Sequence, residues 1–186
     1  MSGGIGLTRV EETREQLLVT GQGLIAQVAA RELFTNTTAI VSGTIYGSLV
    51  GLKAGDLVTN VHLCFSSGFT GFSGVGAVAG IYTSAGVKVA ETSDQQALLA
   101  AAGFKTFPLT SAYSVPSSGA YYLAFLAITS GAGSVYRLTT SSIAANQNVA
   151  IGSGVIPHGV MASQTTLVSS ATFVTTNSFA PWMGCS

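Results

Sequence analysis

The sequence predicts an all-β protein: an antiparallel β-sandwich or jelly roll of about eight strands, preceded by an N-terminal helical arm. The 186 residues include 23 Gly, 22 Ser and 21 Thr, a composition typical of strands joined by tight turns. Short apolar or alternating runs recur at regular spacing after residue 39. Strand and helix patterns do not alternate regularly along the chain, as they would in a parallel α/β sheet.

Charge is sparse and unevenly distributed. Charged residues make up 8% of the chain, against about 25% in ordinary soluble domains, and the net charge is zero. Seven of the fourteen charged residues lie within the first 32, and residues 57–87, 106–136 and 138–186 contain none. Nucleic-acid-binding proteins carry clusters of Lys and Arg, and this sequence has no such cluster. The sparse charge indicates a surface covered by neighbours in an assembly, although a soluble sandwich with a Ser, Thr and Asn coat is the alternative.

The N-terminus lacks the basic and apolar regions of a signal peptide. The longest apolar run, near 120–128, is far shorter than the roughly 20 residues that span a bilayer. We therefore expect synthesis in a cytosol and no membrane partner. In that compartment Cys64 and Cys185 are expected to be free thiols.

Residues 1–38 are predicted to form the arm, and residues 39–186 the sandwich. Good helix formers dominate residues 9–34, but Gly21 and Gly23 interrupt them and favour short helical segments. An apolar stripe at helical spacing comprises Leu17, Leu18, Leu24, Ile25 and Val28. This stripe is predicted to dock on another subunit, and the alternative is a helix packed on its own sandwich.

The strand pattern can be followed along the chain. The predicted strands are 44–50, 57–65, 77–83, 87–92, 104–109, 120–128 and 135–139, with weaker signals at 148–151, 165–168 and 171–176. A hairpin turn is predicted at 84–86 and a short helical crossover at 94–102. Residues 120–128 are apolar on both faces, which predicts a central strand covered on both sides. The expected buried set is Leu57, Val61, Leu63, Phe65, Tyr121, Leu123, Phe125 and Leu126.

No catalytic or metal-binding constellation is predicted, and no cofactor. His62 lies mid-strand and is interpreted as structural, whereas His158 follows a proline and is expected in a solvated or interface loop. His62 and Cys64 could share a metal by their spacing, but no third ligand is evident. Glu91 and Asp94 are expected to be solvated at a strand end. The protein is therefore predicted not to be an enzyme.

A Gly- and Ser-rich loop at 66–76 carries Phe69 and Phe72. Exposed aromatic side chains on a sandwich loop could stack on sugar rings or on a protein partner. The alternative is that both rings cover the open end of the core.

Three segments carry a resemblance to a known family: 51–61, 79–92 and 113–125, the last containing Ser114-Val115-Pro116-Ser117-Ser118-Gly119-Ala120-Tyr121-Tyr122. They resemble β-sandwich virion proteins of tailed bacteriophages, especially phages of actinobacteria, of the head-decoration and tail-associated types. A similar turn into a strand occurs in trimeric jelly rolls of the tumour-necrosis-factor and complement-C1q type. The resemblance covers about residues 40–185 and brings no catalytic residues with it.

The resemblance implies a non-enzymatic virion structural protein, with a capsid decoration protein that stabilises the head shell as the leading expectation. Its expected partners are itself, as a homotrimer, and the major capsid protein or other virion proteins. The alternative is a tail-associated or receptor-binding module that recognises host surface carbohydrate. A cytosolic carbohydrate-binding domain unrelated to a virus is a third possibility.

Overall fold

The computed structural model describes residues 23–28, 34, 36–139, 158–174 and 179–186. Within these residues the chain forms twelve strands and one short 3-10 helix, Gln96–Ala100. The strands are β1 Ala26–Gln27, β2 Asn36–Ala39, β3 Ile45–Leu52, β4 Leu57–Ser67, β5 Phe72–Thr83, β6 Lys88–Glu91, β7 Gly103–Ser114, β8 Gly119–Thr129, β9 Ser134–Thr139, β10 His158–Met161, β11 Phe179–Pro181 and β12 Met183–Cys185.

The strands form two antiparallel sheets. The smaller sheet has five strands in the order β10-β3-β8-β5-β6, and the larger sheet has seven. In the larger sheet β7 pairs with one edge of β4, while β12 and then β9 pair with the other edge. β1 extends the sheet beyond β12, and β2 and β11 both pair with β9. The predicted all-β class and antiparallel pairing are confirmed, with more strands than the sequence predicted.

The main core lies between the two sheets. Phe125 of β8 contacts Phe65 and Phe107 of the larger sheet, with ring centroids 5.5 and 5.8 Å apart. Such edge-to-face contacts add to the free energy gained by burying the rings. Seven of the eight predicted core residues are buried: Val61, Leu63, Phe65, Tyr121, Leu123, Phe125 and Leu126.

Leu57, the eighth predicted core residue, is 55% exposed, so that prediction was wrong. The register between β4 and β7 shifts between Val58 and Asn60. A bulge of this kind interrupts the two-residue alternation on which the prediction depended. Val58 is fully buried in place of Leu57.

β8 is covered on both faces, as its sequence predicts. Leu123 and Phe125 belong to the core between the sheets, whereas Tyr122, Ala124 and Leu126 pack in a second apolar cluster on the outer face of the smaller sheet. Residues 162–174 cover this outer face without forming a strand of their own.

Paired glycines make room for the covering segment. Gly47 of β3 lies opposite Gly159 of β10, and the Phe173 ring packs over them. A Cβ on Gly47 would lie 2.5 Å from that ring. The small residues are therefore required by close packing at this position.

The weaker strand predictions were wrong at every position that the structure describes. Residues 165–168 form no strand, and 171–174 contain only an isolated bridge at Val174. Residues 148–151 and 175–176 lie outside the described residues. The crossover predicted at 94–102 is present as the 3-10 helix, and the hairpin of β5 and β6 is confirmed.

The predicted arm contributes strands to the larger sheet. β1 pairs with β12, and β2 pairs with β9, so the predicted boundary at residue 38 falls within a strand. The backbone N–H groups of Ile25 and Val28 donate to the carbonyls of Cys185 and Met183. Sheet pairing therefore replaces the predicted helix in this stretch. The rest of the predicted helical stretch, residues 9–22 and 29–33, lies outside the described residues.

Candidate functional site

The outer face of the larger sheet carries a group of aromatic side chains. Phe104 of β7 lies beside His62 of β4, and its ring stacks on the imidazole with centroids 5.1 Å apart and planes inclined by 23°. The Trp182 indole contacts the same phenyl ring at a centroid distance of 5.5 Å. Trp182 is buried, but Phe104 remains 43% exposed. Aromatic side chains are enriched at interaction surfaces, which makes Phe104 a candidate contact residue.

His62 is itself held at both ring nitrogens. Nδ1 lies 3.1 Å from the Thr106 hydroxyl, and Nε2 lies 2.9 Å from the Ser186 hydroxyl. Thr106 is the cross-strand partner of His62, so the β4–β7 register positions the first contact. Burial lowers the pKa of His62, because the cation loses hydration on leaving water.

The bulge in β4 positions the second contact. The backbone N–H groups of Thr59 and Asn60 donate to the Ser186 carbonyl over 2.6 and 2.8 Å. The Asn60 side chain also donates to the Ser186 hydroxyl over 3.2 Å. Ser186 is thereby fixed beside the imidazole.

Ser186, His62 and Thr106 are connected in the manner of a catalytic serine, histidine and orienting residue. The third member, however, is a neutral hydroxyl and not the carboxylate that stabilises an imidazolium in hydrolases. The two backbone N–H groups nearest the serine are already bonded to its own carbonyl. The arrangement therefore supports positioning of the imidazole, and through it of the Phe104 ring.

A cavity of about 500 Å³ opens next to Phe104. The described residues that line it are Phe34, Cys64, Phe65, Ala102, Gly103, Phe104 and Tyr136, and none of these is charged. Cavities that bind small molecules have volumes of about 300–1,000 Å³ and are lined by aromatic and apolar groups with a few polar atoms. The cavity and the exposed ring together form the candidate site, called here the Phe104 platform.

The predicted interface stripe is only partly described. Leu24 is buried against Phe34 and Trp182 on the outer face of the larger sheet. Ile25 and Val28 are half-buried and pack on the core of their own chain. These three residues contact their own sandwich, as the alternative to docking on another subunit predicted, but they do so beside a strand and not from a helix. Leu17 and Leu18 lie outside the described residues.

The predicted loop site at Phe69 and Phe72 lies at the end of the main core. Phe69 is 2% exposed and packs edge-on against Phe65 with centroids 5.4 Å apart. Phe72 is half-buried and lies 6.2 Å from Phe69. Both rings cover the core end, so Phe69 has no exposed face on which a ligand could stack.

The other candidate groups lie within the strands and turns of the sandwich. His158 is buried in β10, where it pairs with Ser48, so the predicted solvated loop position was wrong. The Asp94 carboxylate accepts hydrogen bonds from the N–H groups of Ala77 and Gln96. Cys64 and Cys185 are both buried, and burial raises the pKa of Cys185 to about 12.

Two absences can be stated for the described parts of the chain. No group of three His, Cys, Asp or Glu side chains there could hold a metal ion. No helix in those parts is long and apolar enough to cross a membrane.

Sequence reasoning missed the Phe104 platform. The alternation of β7 predicts that Phe104 and Thr106 share a face, but nothing local joins them to β4 or to residues 182–186. The strand pairings bring together residues more than 120 positions apart. Comparison with known proteins gave no further guide, since no family model and no characterised protein matches the chain.

Proposed function

We propose that the protein is a non-enzymatic structural component of a bacteriophage virion, specifically a capsid decoration protein that binds and stabilises the head shell. The observation that carries this proposal is the nearly uncharged surface of the sandwich. Only seven charged residues follow residue 32, and Lys88 and Glu91 already pair with each other over 2.8 Å. Isolated soluble proteins keep more charge on their surfaces, because charge opposes association.

Exposed apolar side chains add to this argument. They are distributed over both sheets and the loops, at Val41, Leu57, Val75, Val87, Phe104 and Val174. Repeated contact with neighbouring subunits would remove these side chains from water, at about 25 cal/mol per Å² of apolar surface. The resemblance of segments 51–61, 79–92 and 113–125 to phage virion proteins supports the same role.

The proposal has three finer features. They are a jelly-roll topology, a homotrimeric state and an N-terminal arm with helical segments before residue 23. Leu17 and Leu18 are proposed to bind a shell subunit, most directly the major capsid protein. Leu24 is assigned to the sandwich itself because it is buried there. This division separates binding residues from folding residues within the predicted stripe.

Cosedimentation with purified phage heads that lack this protein tests the proposal. The full chain is expected to sediment with the heads at saturable stoichiometry. Leu17→Asp with Leu18→Asp should abolish cosedimentation and leave the sandwich folded, whereas Leu24→Asp should unfold it by placing a charge in an apolar cluster.

Binding to isolated tails but not to heads would favour the alternative, a tail-associated or receptor-binding module. Failure to bind any particle component would contradict the virion role. Wild-type binding by the Leu17 and Leu18 variant would place the docking surface on the sandwich.

A further inference from the structure

The segment that covers the outer face of the smaller sheet is a loop with a closed base. This loop, residues 162–173, is called here the clasp. Directly outside its two ends, Val160 and Val174 exchange backbone hydrogen bonds of 3.0 and 3.1 Å. Compact surface loops whose ends lie close together are frequently functional. Because the base is closed by its own pair of hydrogen bonds, the clasp can leave the sheet as one unit while β10 stays paired with β3.

The clasp contacts the sheet through three side chains. Leu167, Ala171 and Phe173 are buried in the apolar cluster on the outer face. Phe173 contributes the largest ring, and its centroid lies 4.6 Å from that of Tyr122 and 5.7 Å from that of Tyr82. The intervening positions are polar and exposed: Thr165, Thr166, Ser169, Ser170 and Thr172.

Glycines shape the surface beneath each of these three side chains. The pair under Phe173 has been described above. A Cβ on Gly80 would lie 2.8 Å from Leu167 Cδ1, and a Cβ on Gly86 would overlap the Ala171 carbonyl oxygen. The outer face is therefore a groove whose contours match one particular spacing of side chains, namely that of the clasp.

Side chains of the sheet, and not a strand ladder, hold the middle of the clasp. Lys88 Nζ donates to the Leu167 carbonyl over 2.7 Å and to Glu91 over 2.8 Å. The Tyr82 hydroxyl donates to the Val168 carbonyl over 2.9 Å. Burial raises the pKa of Tyr82, with a smaller contribution from the charge of Glu91, so this hydroxyl keeps its proton. Segments without a continuous ladder open at a lower free energy than the strands of a core.

We propose that the clasp opens as a unit and occupies the same groove on a second copy of this chain, so that neighbouring copies exchange clasps. Every contact that the clasp makes in its own groove would form equally in a neighbour's groove, which makes such an exchange a low-cost route to association. The base of the clasp follows β10, the last strand in the order of the smaller sheet. Twelve residues running out and back reach about 20 Å from that edge. The proposal goes beyond shell binding and is tested without a shell.

Two forms of the full chain, each with one added cysteine, test the exchange. Val87 and Ser170 face each other in an antiparallel bridge, so cysteines at these positions lie within reach of a disulfide. Val87→Cys and Ser170→Cys, with different affinity tags, are coexpressed so that they assemble together, and the purified protein is oxidised. Exchange predicts a disulfide-linked heterodimer on a non-reducing gel, at least about fivefold more abundant than either homodimer.

A matched control uses Leu57→Cys in place of Val87→Cys. Leu57 is 55% exposed and Val87 is 50% exposed, but Leu57 lies on β4 of the larger sheet. Coexpressed with Ser170→Cys, it should give no excess of heterodimer. The unsubstituted chain, in which Cys64 and Cys185 are buried, measures the background of oxidation.

Hydrogen exchange followed by NMR tests whether the clasp opens as a unit. The N–H groups of Gln164 and Ala171 donate to backbone carbonyls in turns beside the smaller sheet. Both should exchange at rates that report one common opening, and faster than the N–H of Val174 at the base. Lys88→Met should speed their exchange about tenfold, because the clasp loses a charge-assisted hydrogen bond. Lys53→Met, in an exposed turn, should leave these rates unchanged.

Three results would overturn the proposal. The first is the absence of a heterodimer when a single chain carrying both Val87→Cys and Ser170→Cys closes an internal disulfide, since the clasp then stays in its own groove. The second is as much heterodimer from Leu57→Cys as from Val87→Cys. The third is exchange of the Gln164 and Ala171 amides no faster than that of Val174.

Discussion

Phe125→Ala and Leu57→Ala together test the packing of the sandwich and the position of the β4 bulge. The sequence pattern predicts that both side chains are buried, whereas the structure buries Phe125 completely and leaves Leu57 55% exposed. Removal of a buried Phe side chain typically costs about 3–5 kcal/mol. Phe125 also makes edge-to-face contacts with Phe65 and Phe107, so its loss should fall in the upper half of that range.

Leu57→Ala should change stability by no more than about 0.5 kcal/mol, as is usual for exposed positions. Urea unfolding followed by tryptophan fluorescence measures both variants, because Trp182 is the only tryptophan and is 1% exposed in the folded chain. The reasoning would be refuted by a loss below about 1 kcal/mol for Phe125→Ala, or by equal losses for the two variants.

The difference between these two residues shows what the sequence can predict. β8 was identified correctly because an apolar run on both faces is a local signal, and the structure covers both faces. The register of β4 was not predicted correctly, because a bulge depends on the pairing with the partner strand and cannot be recognised from the sequence pattern of β4 alone.

The Phe104 platform could not be predicted from local sequence patterns for a similar reason. It combines residues of β4 and β7 with Trp182 and Ser186, and only the completed sheet places them together. Strands β10–β12 are short, at three or four residues each, so their patterns are too brief to separate from loop sequence.

Three further predictions concern the pKa of His62, the packing at Gly47 and the oligomeric state. Burial lowers the pKa of His62 in the folded chain, so the unfolded chain binds the proton more tightly. The free energy of unfolding should therefore fall as the pH drops below about 6.5, by at most about 1.4 kcal/mol per pH unit. His62→Asn should reduce this pH dependence in urea titrations at several pH values. Gly47→Ala should lose about 1–3 kcal/mol by displacing Phe173, whereas Gly51→Ala, which has no neighbour within 4 Å, should change little in the same assay. Analytical ultracentrifugation should show a species heavier than the 18.8 kDa chain, and a monomer at about 50 μM would contradict the proposed homo-oligomer.

The central proposal is that this sandwich is a subunit of a phage head. Cryo-electron microscopy of the native particle from the source that encodes the chain tests it most directly. Density is expected on the outer surface of the shell, repeated with the symmetry of the capsid lattice, and the two antiparallel sheets should fit into it. Heads that lack such density, in particles shown by mass spectrometry to lack the protein, would contradict the proposed role.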